Sequence, residues 1–163
     1  MTAETGNVPT TYNLLFVCSG NTCRSPLAHA LAARLVAARG WHVSVDSAGT
    51  AALPALPAAD NAIAVAGENG LDLLAHRSQA VSHELLDWAD LIVVMGPSHY
   101  HAVVDLGGGD RVALATEFLD DPDSMAAIDD PFGGDLAAYR RTYEQIREAV
   151  TRVLDRLEPI LSP

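Results

Sequence analysis

Lysine is absent from the 163 residues, so ten arginines face 21 acidic side chains and leave a formal charge of −11. Those arginines are scattered, whereas a nucleic-acid partner would require clustered cations along its phosphate backbone. The acidic balance is read as solubility rather than as the mark of a partner. Cysteine is nearly as scarce, with only Cys18 and Cys23, too few for a disulfide scaffold. No apolar run approaches the ~20 residues of a membrane-spanning helix. The opening MTAETGNVPTTYN has no basic patch followed by an apolar segment, so no secretory signal is read there. Together these absences suggest a reducing cytoplasm, where cysteines are more often reactive or metal-binding than structural.

Apolar residues, by contrast, make up 49% of the chain, enough for one core at this length. Residues 1–12 are expected to form a flexible polar leader and 13–160 a single domain. Residues 13–18, NLLFVC, form an apolar run of the kind a buried parallel strand shows. Ser25 is expected to cap the next helix, with Pro26 in its first turn and Gly40 at its end. HVSVDSAG alternates like a strand, and a Pro/Ala loop over 51–59 leads to a helix near 60–69. SHELLDWAD predicts a short helix capped by Ser82, followed by an apolar strand over 90–96 and a helix over 98–105 opened by Ser98. A strand over 111–116 and a long amphipathic helix over about 135–158 complete the pattern. Alternating strands and helices indicate an α/β domain with a parallel sheet, which takes ligands beyond the carboxyl ends of its strands.

The stretch CSGNTCRS, residues 18–25, lies at such a place, between the first strand and the first helix. Its backbone N–H groups and those of the following helix make a cradle for an anion. Gly20 is expected to supply the freedom for a tight curve. Arg24 can grip two phosphate oxygens at once, which lysine cannot. The same positive field favours a thiolate at Cys18. A thiolate beneath a tetrahedral oxyanion points to phosphoryl transfer through a thiophosphate. Ser25 can donate to that thiolate, and Asn21 can hold the loop's shape, for instance through Ser47. Cys23 either packs beneath the loop or guards Cys18 through a reversible disulfide. Trp41 and Trp88 are expected to serve packing, and His99 and His101 to sit on a solvated helix face. Neither cysteines nor histidines show zinc-site spacing, and no metal or organic cofactor is implied.

That loop, its position near the N-terminus, DSAG at 46–49 and DPFGG at 130–134 resemble the low-molecular-weight protein-tyrosine phosphatase family over residues 13–158. The resemblance implies a four-stranded parallel sheet flanked by helices on both faces, with Cys18 as nucleophile, Arg24 as phosphate clamp and Asp130 as general acid. Two DDP stretches, at 120–122 and 129–131, compete for the acid's place with Asp121 and Asp130, and spacing cannot choose between them. The family pattern, Asp-Pro then an aromatic shortly before the final helix, selects Asp130 with Phe132 beside the pocket. Thr22, where tyrosine phosphatases usually carry an aliphatic residue, and Gly133-Gly134, where a second aromatic is common, resemble the family's protein-arginine phosphatase branch. The implied substrates are phosphorylated proteins, bound by Ser19, Gly20, Asn21, Thr22, Cys23, Ser25 and Phe132, with the enzyme a monomer. A tyrosine phosphatase is the alternative. Arsenate reduction would need further cysteines downstream of Cys23, and a non-catalytic anion-binding module would have no use for both Cys18 and Asp130.

Overall fold

The computed structural model describes residues 11–161, so nearly all of the expected leader lies outside the described residues. The first strand, β1 (Tyr12–Cys18), has Leu14, Leu15, Phe16 and Val17 fully buried. That explains its unbroken apolar run, because both faces of the strand are covered. β1 lies between β2 (Val43–Gly49) and β3 (Leu91–Val94), with β4 (Val112–Leu114) beyond β3. All three pairings are parallel, giving a four-stranded sheet in the order 2-1-3-4.

Helices cover both faces. Leu14 and Phe16 share a core with α1 (Arg24–Arg39), α2 (Asp60–Glu68) and α5 (Leu136–Leu161). Leu15 and Val17 pack on the opposite face with α3 (His83–Trp88) and α4 (Pro97–Asp105). In α5, Tyr139, Thr142, Tyr143, Ile146, Ala149, Val150, Val153, Leu154 and Leu157 are buried at three- and four-residue spacings, and the arginines fall between them. Each fully buried side chain of Leu or Ile size contributes about 1.5–3 kcal/mol. The stripe is therefore what holds this helix on the sheet.

Ser82 caps α3 as its sequence indicates, its Oγ accepting from Leu85 N–H at 3.1 Å. Other boundaries differ from expectation. Ser25 is no cap: α1 starts at Arg24 behind Cys23, no side chain caps that end, and the Ser25 hydroxyl is used inside the loop. α4 opens one residue before Ser98, because Pro97 has the fixed φ that suits a first helical turn. β4 ends at Leu114, and residues 115–118 turn into a 3₁₀ helix that buries Ala115, Thr116 and Phe118. α5 runs to Leu161, past Pro159. Trp41 stacks under the Arg39 guanidinium at 4.8 Å, and Trp88 packs against the core of the second face.

The chain leaves β1 for β2 on one side of the sheet and then returns to β3 on the other. The carboxyl end of β1 is therefore the point where the strand order reverses, and a crevice opens there.

Candidate active site

Residues 18–25 fill that crevice. Cys18 ends β1 with 2% of its surface exposed, and its Sγ lies 2.9 Å from Ser25 Oγ in the first turn of α1. Asn21 Nδ2 donates to the same Ser25 Oγ at 2.7 Å and to Ser47 Oγ at 3.0 Å. With its acceptor side engaged by Asn21, the Ser25 hydroxyl can turn its hydrogen to the sulfur, the nearer acceptor, or to the Ala48 carbonyl at 3.4 Å. Asn21 is fully buried, takes Gln79 N–H on its Oδ1 at 3.0 Å, and offers its own carbonyl to His76 Nε2 at 2.7 Å.

The tight curve depends on Asn21 rather than on Gly20. Asn21 sits at φ 55°, in the left-handed region that asparagine tolerates. Gly20 is not among the positive-φ residues, and a Cβ there would meet nothing closer than Thr22 Oγ1 at 3.6 Å. Its contribution is an open floor. Gly49, at the end of β2, is the glycine the geometry requires: a Cβ there would stand 2.3 Å from the carbonyl oxygen of Ser19 and 3.0 Å from Asn21 N.

Cys18, Ser19, Gly20, Thr22, Cys23 and Arg24 line one cleft of about 240 Å³, closed by Ala51, Asp130 and Phe132. Asn21 and Ser25 stand behind it as buried supports. Arg24 is 5% exposed; its Nη1 donates to the carbonyl of Ile128 at 3.1 Å and its Nη2 faces Asp130 Oδ2 at 3.6 Å. Asp130 is half exposed, and its Oδ1 accepts from Phe132 N–H at 3.1 Å, so carboxylate and ring form one short turn. Phe132 is 76% exposed and stands at the rim. Asp129 anchors this segment to α5: Gln145 bonds both its N–H and its carboxylate, and Thr142 Oγ1 donates to its carbonyl. Asp121, in the other Asp-Pro pair, is absent from the cleft, and its carbonyl accepts from Ser124.

Cys23 is buried, and its sulfur is hydrogen-bonded to the Tyr139 hydroxyl at 3.2 Å. Burial raises the Cys23 pKa, against the lowering effect of the Tyr139 and Thr22 hydroxyls. Burial and the Cys23 sulfur likewise raise the Tyr139 phenol above its ordinary range. Cys23 is thus held as a packed thiol, and both cysteines are free.

His99 departs most from expectation. Instead of facing solvent, it is 3% exposed on α4, with Nε2 2.8 Å from Ser19 Oγ and no partner for Nδ1. Burial, helped by the nearby Arg24 guanidinium and opposed by Asp130, lowers its pKa to about 4. One cue was present: His99 and Val103, four residues apart, are the two buried side chains of α4. His76 and His29 were also missed; His29 Nδ1 lies 3.2 Å from Ser47 Oγ, and burial lowers its pKa too.

The family model of the low molecular weight phosphotyrosine protein phosphatases matches residues 13–160. A protein-arginine-phosphatase of Bacillus subtilis is 32% identical over 148 residues, 90% of this chain and 97% of that protein. A probable low molecular weight protein-tyrosine-phosphatase EpsP of Ralstonia solanacearum is also 32% identical, over 152 residues with the same two shares. Among solved structures, the YwlE arginine phosphatase, as a cysteine-to-serine mutant with phosphorylated active site serine, superposes with a TM-score of 0.82 at 32% identity. That match covers 90% of this chain and 95% of the other. The chain is a cysteine-dependent protein phosphatase: it belongs to the low molecular weight phosphotyrosine protein phosphatase family.

Proposed function

We propose that the chain removes phosphate from phosphoarginine in proteins, with residues 13–160 as the phosphatase domain and Cys18, Arg24 and Asp130 as its catalytic residues. The Cys18 thiolate attacks phosphorus, the P–N bond breaks, and protonated Asp130 gives its proton to the departing guanidine nitrogen. Water, deprotonated by Asp130, then attacks the thiophosphate; the S–P bond breaks and inorganic phosphate leaves. Arg24 and the loop's backbone N–H groups hold the phosphoryl oxygens in both steps. Ser25, 2.9 Å from the sulfur, stabilises it as a leaving group in the second. The phosphorylated serine of the YwlE mutant supports a covalent phosphoryl group on the corresponding loop residue.

The arginine and tyrosine phosphatase relatives stand at the same identity, so the preference for phosphoarginine rests on the pocket. The observation that carries it is Thr22 in the cleft wall. A hydroxyl there can meet the N–H groups of a phosphoguanidine or the attacking water, whereas an aliphatic side chain would pack on a phenol ring. Gly133 and Gly134 remove a second stacking wall after Phe132. A guanidine leaves with a pKa of roughly 12 or above against ~10 for phenol, so an acid at Asp130 matters more for this substrate. A phosphotyrosine substrate is the second reading, favoured by Phe132 standing at the rim of the cleft.

A monomeric enzyme is part of the same proposal. No described helix is long and apolar enough to cross a membrane. The two free thiols fit a reducing cytoplasm. The test is kcat/KM on matched phosphoarginine, phosphotyrosine and phosphoserine peptides. Phosphoarginine is expected to lead, and Thr22→Ile to move the ratio toward phosphotyrosine by about tenfold or more. A ratio unmoved by Thr22→Ile, or a wild-type enzyme that favours phosphotyrosine, overturns the preference. Turnover surviving in Cys18→Ser overturns the mechanism.

A further inference from the structure

Ser19 follows the nucleophile directly and lines the cleft with Cys18, Arg24 and Asp130. Among the described residues its hydroxyl has one hydrogen-bond partner, His99 Nε2 at 2.8 Å. His99 reaches it from the first turn of α4, which follows β3, so the contact joins neighbouring strands across the crevice. We propose that His99 is a positioning residue for phosphoryl transfer, its Nε2–H donating to Ser19 Oγ so that the Ser19 hydroxyl proton points into the cleft toward a phosphoryl oxygen. This inference rests on the phosphatase mechanism above.

The orphaned nitrogen fixes the tautomer. Nδ1 is buried without a partner. A buried N–H left unpaired is rarer in folded proteins than an acceptor left partly unused. Nδ1 is therefore the bare nitrogen and Nε2 carries the hydrogen. Ser19 Oγ becomes the acceptor in this bond, and its one hydrogen is left to donate elsewhere. A hydrogen-bond donor at the mouth of an anion cradle gains most when phosphoryl oxygens take on charge.

The surroundings keep His99 neutral. Arg24 faces it from α1, and Asp130 from the acid segment is the nearby charge of opposite sign; the Asp129 carboxylate beyond it is engaged by Gln145. Burial and Arg24 outweigh Asp130, so the imidazole carries no proton beyond its Nε2–H above about pH 4. A neutral donor orients Ser19 without adding a second fixed cation beside Arg24. Protonation would supply an Nδ1–H for which the structure holds no acceptor.

The experiment is steady-state turnover of para-nitrophenyl phosphate, with vanadate inhibition, by the full chain and by Ser19→Ala, His99→Leu, His99→Gln and the Ser19→Ala/His99→Leu double variant. Ser19→Ala and His99→Leu should each lower kcat about tenfold with KM nearly unchanged, as expected when a bond made mainly in the transition state is lost. Vanadate should bind more weakly in parallel. The double variant should be no slower than Ser19→Ala, because His99 acts through that hydroxyl. His99→Gln, whose amide N–H can still donate, should recover most of the rate. Single effects that multiply in the double variant would overturn the proposal. So would a glutamine variant as slow as the leucine one, or a His99→Leu enzyme with wild-type kcat and only a lowered Tm. If His99→Leu does not fold, Ser19→Ala and His99→Gln decide the matter by the same criteria. Cys18→Ser separates the two readings: turnover that survives it removes the phosphatase mechanism, and turnover that it abolishes while Ser19 and His99 variants stay at wild-type rates removes this inference alone.

Discussion

On its β2 side the phosphate loop is held through Asn21, which donates to Ser47 and to Ser25 within the loop, accepts from Gln79 and offers its carbonyl to His76. On its β3 side, among the described residues, Arg24 reaches the Ile128 carbonyl and the Ser19 hydroxyl has a single partner, His99. The first side is a hub with several spokes, so losing one spoke leaves the others. The Ser19–His99 contact is a single link, and whatever it contributes disappears with one substitution. A loop built this way keeps its backbone shape through Asn21 and orients one hydroxyl through His99.

The largest way to break the β2 side is Gly49→Ala. Its Cβ would fall 2.3 Å from the Ser19 carbonyl oxygen, and backbone cannot give way as a flexible side chain can. Displacing the loop by about an ångström costs on the order of a hundredfold in kcat, with a lowered Tm beside it; near-wild-type kinetics would show that the approach is looser than drawn. Next comes Asn21→Ala, which removes the hub's side-chain bonds and places a poorly suited residue at φ 55°. A loss of about 2–3 kcal/mol in stability, or roughly 6–10 °C in Tm, and a kcat fall of at least tenfold should be visible by calorimetry and kinetics.

Acid tests both sides together. His29, which bonds Ser47 behind the hub, and His99 both bind protons more weakly folded than at their ordinary value of 6.5. As pH falls below about 6.5 the unfolded chain takes up these protons first. Stability present above that point is therefore lost progressively, for His99 down to about pH 4. Asp46 faces His29 and opposes its shift, and His76 reinforces it. Melting temperatures should fall from pH 7 to pH 4.5, less steeply in His99→Gln; an unchanged slope in that variant would contradict a buried neutral His99. The smallest effect belongs to Ser47→Ala, one spoke alone, at about 1 kcal/mol or less and within about twofold in kcat. A loss equal to that of Asn21→Ala would abolish the distinction between hub and spoke.

Much of this was legible before any coordinates. Strands buried on both faces read as apolar runs, and the family model and solved relatives bear out the α/β phosphatase fold. The Asn21–Ser47 bond could be anticipated because a polar loop residue just past β1 faces a polar residue near the carboxyl end of the adjacent β2. Gly20 drew attention by residue type, yet the left-handed φ fell to Asn21, since asparagine tolerates that region and its side chain is held by several partners. Ser25 looked like a cap because a serine before proline usually is one, while the sulfur's demand for a donor lies outside local sequence. His99 was hidden for another reason. Its partner is 80 residues away, and histidine beside Ser98 and His101 resembles an exposed face unless its spacing to Val103 is weighed.

The guanidinium of Arg24 leans on the segment that carries Asp130, through the Ile128 carbonyl and the carboxylate itself. The proposed acid thus occupies a place that an incoming dianion would contest. In the proposed mechanism, substrate arrival would exchange one negative partner of the arginine for another and free the displaced carboxylate to meet the leaving group. On that proposal the order of events would follow from a rivalry for one cation.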